Sequence, residues 1–184
     1  PDPDIKIVPI QTTLVGFGFH QVYSNSLQNE QDSGLSGKPA AKMMNPLNQE
    51  MAYLRTSLLP GLMKAADFNI KNGSPNIRLF ELANVHEQSS DGFDGINEYR
   101  HLAGIILGEE NSLSVHCDSS EEDLFTLKGY LSGLFSGKYR MRFELKRADQ
   151  PGFDYAQSIL INQQKVGAMG RLSSDWVQKM DLDI

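Results

Sequence analysis

The 184-residue chain has one cysteine, Cys117, so no internal disulfide can form. No run of 18 apolar residues occurs in it, which leaves no candidate for a membrane-spanning helix. The opening residues Pro1, Asp2, Pro3 and Asp4 lack both the basic start and the apolar stretch of a secretory signal. A reducing, cytoplasmic setting fits these absences. Cationic excess is also missing. The chain carries 17 Lys and Arg against 23 Asp and Glu, a net charge of -6, which argues against its being the main grip on a nucleic acid, since such surfaces are basic. There is no initiating methionine, and the chain stops at Asp183-Ile184; both ends read as cuts in a longer polypeptide.

Metal and phosphate chemistry find little support. The histidines are His20, His86, His101 and His116, and none stands at a ligand spacing from another or from the cysteine. His116 and Cys117 are adjacent, which on a strand sends their side chains to opposite faces; they are no nucleophile and base. Gly104, Gly108, Gly129, Gly133 and Gly137 follow neither the Walker nor the dinucleotide pattern. The fourfold spacing of the last three would let helices approach closely, or would mark a loosely ending helix. Of the paired carboxylates, Glu121-Glu122 is explained by helix capping and Glu109-Glu110 falls in a turn. One local basic run remains: Lys138, Arg140, Arg142, Lys146 and Arg147. On its own such a run reads as a solvated strand face.

What is present suits a single domain over residues 1–184. A chain of this length buries about two-thirds of its unfolded surface. A short N-terminal helix is expected to precede a strand at 19–27. Residues 57–72 read as a helix. Ser57 can cap it, Pro60 falls in its first turn, and Leu59, Leu62, Met63, Ala66 and Ile70 form one stripe, widened by Leu58 and Ala65. Gly73 ends it and Pro75 prevents its return. Residues 77–86 read as a central strand, with Ile77, Leu79 and Val85 on one face and Phe80 and Leu82 on the other; 101–107 reads likewise. A second helix is expected at 119–135, opened by the Ser119–Glu122 capping spacing. A half-solvated strand at 140–146 follows. Segments 156–161 and 165–172 form a hairpin across Asn162-Gln163-Gln164. Loops are expected at 31–38 and 88–97. Hairpin strands beside two long helices predict an α+β fold with a mostly antiparallel sheet.

The run Asn45-Pro46-Leu47-Asn48-Gln49-Glu50-Met51, then Leu54-Arg55-Thr56-Ser57-Leu58-Leu59-Pro60-Gly61-Leu62, closely resembles the "NPL…EM…LRTSLLPGLL" stretch of bacterial phenylalanine–tRNA ligase β subunits. Ile77-Arg78-Leu79-Phe80-Glu81-Leu82-Ala83-Asn84-Val85 is similar to that family's "RLFEIGRVF" strand. Gly18-Phe19-His20-Gln21-Val22 resembles its "GYQEV", and Asp123-Leu124-Phe125-Thr126-Leu127-Lys128-Gly129 its "DFFDLKG". Pro151-Gly152 with Ala156 looks like "HPGRSA", and 166–172 like "VGWLGELHP". Ser173 and Ser174 depart from the usual His-Pro, and His86 from an aromatic. The likeness thus runs along nearly the whole chain in order. Its motif residues here are Asn45, Pro46, Arg55, Thr56, Ser57, Pro60, Gly61, Phe80, Glu81, Lys128 and Gly129.

The resemblance implies a class II aminoacyl-tRNA synthetase-like module, an antiparallel sheet flanked by helices, that has lost the catalytic motifs. It also implies an (αβ)₂ heterotetramer in the cytoplasm, with this module packed against the catalytic α subunit. ATP and Mg²⁺ are then used in α, tRNA is gripped through other parts of the complex, and no cofactor, metal or catalytic residue belongs to this piece. The class II arginine that meets ATP falls on Glu87 here, and a carboxylate would repel a triphosphate. The nearest approach to the third class II motif is 167–171. Two surfaces are expected to meet α: the segment 11–19, and the helix at 57–72 through Leu58, Leu59, Leu62, Met63, Ala66 and Ile70. Two other readings stand beside this one: an active core gripping ATP with Arg55, Arg78 and Arg171, and a tRNA-contacting module built on the basic strand near Arg140.

Overall fold

The computed structural model describes residues 8–90, 92–109 and 123–184. His116, Cys117, Glu110, Glu121, Glu122 and the Ser119 cap therefore lie outside the described residues. Helix α1, Val8–Gly16, leads through Gly18 (φ 84°) into the short strand β1, His20–Gln21. The next elements are β2 (Leu27–Gln28), α2 (Glu30–Gly34) and β3 (Tyr53–Leu54). Helix α3, Leu59–Lys71, precedes the long hairpin of β4, Ile77–Gln88, and β5, Ile96–Leu107. Helix α4, Leu124–Ser132, runs on as a π-turn, Gly133–Lys138, into β6 (Glu144–Arg147), β7 (Phe153–Ile161), β8 (Gln164–Leu172) and α5 (Ser174–Lys179).

The strands pair as β1-β4-β5, β2-β3 and β6-β7-β8. All pairs are antiparallel except β1 with β4, which is parallel at His20↔Leu79 and Gln21↔Phe80. This is a mixed α+β fold, with the expected single antiparallel sheet replaced by these separate ladders. Strand β4 is covered on both faces. Ile77 and Leu79, with Ile105 of β5, pack against Leu62, Met63 and Ala66 of α3 and Trp176 of α5. Phe80 points the other way, into Leu14 of α1 and Phe19, with Tyr130 of α4 and Ile106 at the margin. The alternation that the sequence predicts is thus real, and each fully buried Leu or Met here contributes about 2–3 kcal/mol.

Several boundaries differ from expectation for local reasons. The strand expected at 19–27 ends at Gln21, although the Val22 N–H still bonds Phe80 O at 2.8 Å, because Ser24 leaves the ladder for a carboxylate of β4. Residues 30–34 form a helix capped by Asn29 Oδ1, which accepts from Asp32 N at 2.8 Å. Helix α3 starts two residues later than expected, and Ser57 Oγ instead accepts from Leu59 N at 3.2 Å. Helix α4 opens at Leu124, where Asp123 accepts from the N–H groups of Phe125 and Thr126, both at 2.8 Å. Those bonds hold the Asp123 carboxyl below its ordinary pKa, the Thr126 N–H foremost. Strand β6 pairs only from Glu144 onward. The β7–β8 turn is the two residues Asn162 and Gln163, with φ 51° and 65°, the left-handed pair that suits a tight hairpin.

Candidate functional site

The most concentrated polar chemistry among the described residues lies beneath the N-terminus of α3. Arg55 Nη1 and Glu81 Oε1 form an ion pair at 2.9 Å with side chains 5% and 1% exposed, so neither charge has a water shell to fall back on. Further hydrogen bonds within the chain support the pair. Arg55 Nε donates to Asn84 O at 2.8 Å, and Nη1 also donates to Ser24 Oγ at 3.0 Å. The Ser24 hydroxyl passes its proton to Glu81 Oε2 at 2.7 Å, and Ser24 N donates to Oε1 at 3.1 Å. A buried ion pair persists only when its other polar atoms are satisfied in this way. Gly61 makes the approach possible: a Cβ there would lie 2.8 Å from Ser24 Cβ. One residue on, the Thr56 hydroxyl donates to Ser33 O at 2.6 Å, so it accepts from Ser36 Oγ at 2.7 Å. Arg55, Thr56 and Gly61 therefore form a clasp between the start of α3, β4 and the stretch around 24–36. Its Arg55, Thr56 and Glu81 side chains are buried.

The far end of the β4–β5 hairpin carries a second polar group. Lys38 pairs with Glu87, and His86 Nε2 meets Glu98 Oε1 at 3.1 Å. Glu87 thus stands with its charge compensated by Lys38. Partial desolvation, then the Lys38 ammonium, hold the His101 imidazole below its ordinary pKa against the opposing pull of Glu87. His20 is exposed. Among the described residues, no three His, Cys, Asp or Glu side chains converge as a metal site would require.

Arg55, Arg78 and Arg171 are not brought together. Arg55 bonds Glu81 on one face of β4, whereas Arg78 lies on the other face, 5.7 Å from the Tyr130 ring. Arg171 stands on β8 opposite Tyr155. The expected contact set on α3 needs correction as well. Leu58, Leu62, Met63 and Ala66 are 0–2% exposed, and Leu59 and Ile70 pack against the same core; a stripe spent on the chain's own sheet is not available to a partner. Phe80 is likewise core. Asn45 and Pro46 lie in the fully exposed stretch 42–50, and Lys128 and Gly129 on the outer face of α4. Gly133 is the one member of its spaced trio in close contact: a Cβ there would meet the Phe17 ring at 2.7 Å, while Gly129 and Gly137 face open space. Sequence reasoning missed α5, although Ser173 is its cap and accepts from Trp176 N at 3.3 Å; Ser-Ser-Asp ahead of an apolar residue was the available signal.

This arrangement of helices and strands is shared with solved structures of an aminoacyl-tRNA synthetase, of which the chain covers 61–62%. Two structures of pyrrolysyl-tRNA synthetase from Desulfitobacterium hafniense superpose with TM-scores of 0.67 and 0.68, each over 96% of this chain, at 16% and 17% identity. Residues 7–184 match the family described as phenylalanyl tRNA synthetase beta chain CLM domain, and the chain belongs to that family. It is 29% identical over 168 residues to the phenylalanine–tRNA ligase beta subunit of Listeria monocytogenes serotype 4b (strain F2365), which takes in 86% of this chain and 20% of that protein. It is 26% identical over 186 residues to the beta subunit of Staphylococcus aureus (strain Mu50), 98% and 23% respectively. The chain thus spans about a fifth of the length of these relatives.

Proposed function

We propose that this chain is a non-catalytic assembly module of a phenylalanine–tRNA ligase, a class II-like domain that packs against the catalytic α subunit in an (αβ)₂ heterotetramer of the cytoplasm. ATP and Mg²⁺ serve the α subunit on this reading, which attaches phenylalanine to its tRNA, and this module binds neither. The observation that carries the reading is the outer face of α1. The helix contains no charged residue, yet Val8 and Val15 are each 57% exposed, and with Thr12 they stand at i, i+4 and i+7, one stripe of a helix. An uncharged, apolar exposed stripe is what the centre of a protein interface is made of. A further observation favours a non-catalytic role: Arg55, Arg78 and Arg171 are dispersed, Arg55 on one face of β4, Arg78 on the other and Arg171 on β8.

The test is light scattering after size exclusion on the β subunit containing this chain, mixed with its α subunit. Val15→Asp should abolish the mixed complex at micromolar protein while leaving the circular dichroism unchanged, since Val15 touches solvent rather than core. Full assembly by that variant and by Val8→Asp would exclude α1 as the contact.

A further inference from the structure

A second surface, at residues 138–147, differs from the outer face of α1 in its charge. Residues 138–147 hold five cations, Lys138, Arg140, Arg142, Lys146 and Arg147, against one carboxylate, Glu144, in a chain whose net charge is -6. The seven residues from Ser136 to Arg142 are all exposed. Elsewhere Lys38 is neutralised by Glu87, Lys64 by Asp32, Lys71 by Asp67 and Lys179 by Asp175, and within the strip Lys146 pairs with Glu144. No ion pair of this kind engages Lys138, Arg140 or Arg142 among the described residues. Edge protection accounts for cations on an edge strand such as β6, but β6 pairs only from Glu144, so the three unneutralised cations precede the edge and guard nothing. Arg140 also sits at φ 53°, a backbone conformation where glycine or asparagine is usual after a helix.

The order Lys138-Tyr139-Arg140-Met141-Arg142 interleaves charge with flat or soft apolar groups. Tyr139 and Met141 are 36% and 38% exposed. At the far end of β6, the Arg147 guanidinium lies 5.8 Å from the Tyr155 ring centroid. Cations that meet phosphates beside side chains that can stack on bases are the chemistry of RNA recognition.

We infer that residues 138–147 form an RNA-backbone contact strip, with Lys138, Arg140 and Arg142 on the phosphates and Tyr139 beside them for a base. That the polyanion is RNA rests on the tRNA-charging assembly proposed above. The experiment is fluorescence anisotropy of a labelled tRNA transcript titrated with the assembled enzyme across a salt series. Arg140→Ala/Arg142→Ala should make the slope of log affinity against log salt shallower by about 1.5–2, and weaken binding to a similar extent for unrelated RNA sequences. Arg140→Lys/Arg142→Lys should keep most of the slope, because phosphates read charge. Lys179→Ala, outside the strip, should leave it unchanged. If the double alanine variant alters folding or assembly, Lys138→Gln alone carries the test, with a slope change of about 0.7–0.9. An unchanged slope overturns the inference. So does a lysine pair as weak as the alanine pair, or a loss confined to binding of phosphatidylserine vesicles. Assembly, followed by light scattering in the same samples, stands or falls separately.

Discussion

At the scale of the residue, Arg55 and Glu81 decide the most. Their types were plain in the sequence, but not their pairing, because no local pattern joins positions 26 apart. With side chains 5% and 1% exposed, removing one partner strands the other charge in a dry site. Arg55→Met should therefore cost about 3–5 kcal/mol of unfolding free energy in urea titrations. Arg55→Met/Glu81→Met should be more stable than Arg55→Met alone, with a coupling of about 1–3 kcal/mol in the double-mutant cycle. Strict additivity of the two changes would mean that the pair does not act as a unit.

Asp67 gives a residue-level dependence on pH. Its carboxylate accepts from Asp183 N at 2.9 Å and pairs with Lys71 at 2.9 Å. The Asp183 bond first and Lys71 second lower its pKa below 3.8. A carboxylate lowered in the folded state adds stability that is present above its unfolded pKa and lost as pH falls through the folded one. Asp67→Asn should thus be less stable than the parent near neutrality, with the gap closing below about pH 4. A gap of constant size down to pH 3 would show that the charge is irrelevant.

At the scale of the element, legibility follows the source of the signal. Helix α3 and strand β4 could be read because burial on a repeating face imposes a period, and the stripe of Leu59, Leu62, Met63, Ala66 and Ile70 faces the core. Strand β1 could not, since it is cut short by Ser24 turning to Glu81, 57 residues away. Helix α5 was hidden by its brevity and its resemblance-based reading as a departure from His-Pro, although Ser173 caps it. Its attachment also relies on Gly152, at φ 84°, where a Cβ would run into the Trp176 indole. Ser173→Ala should cost about 1 kcal/mol, seen in a thermal melt together with a loss of protection around Trp176 in hydrogen exchange. Equal protection in both proteins would count against the cap.

At the scale of the whole molecule, family and mixed α+β class were readable from the ordered set of segments, which spans nearly the full chain. The surfaces were harder. A stripe such as Leu58 to Ile70 has the same appearance in sequence whether it meets its own sheet or another subunit, and only the packing of β4 assigned it inward. By contrast, α1 offers two valines to solvent because its opposite side, through Leu14, already fills the second core.

The clasp of Arg55, Glu81 and Ser24 has a consequence for time rather than energy. Its parts come from β4, from the approach to α3 and from the turn after β1, so it can close only once the intervening chain has been gathered. Closing so long a loop is unfavourable before its contacts exist, which makes the clasp a late event in folding. Glu81→Gln should then raise the unfolding rate in a chevron plot by most of its total effect and leave the refolding rate nearly unchanged. The chain would reach its native form at the usual speed but hold it more briefly, a lock that sets the lifetime of the fold and not its arrival.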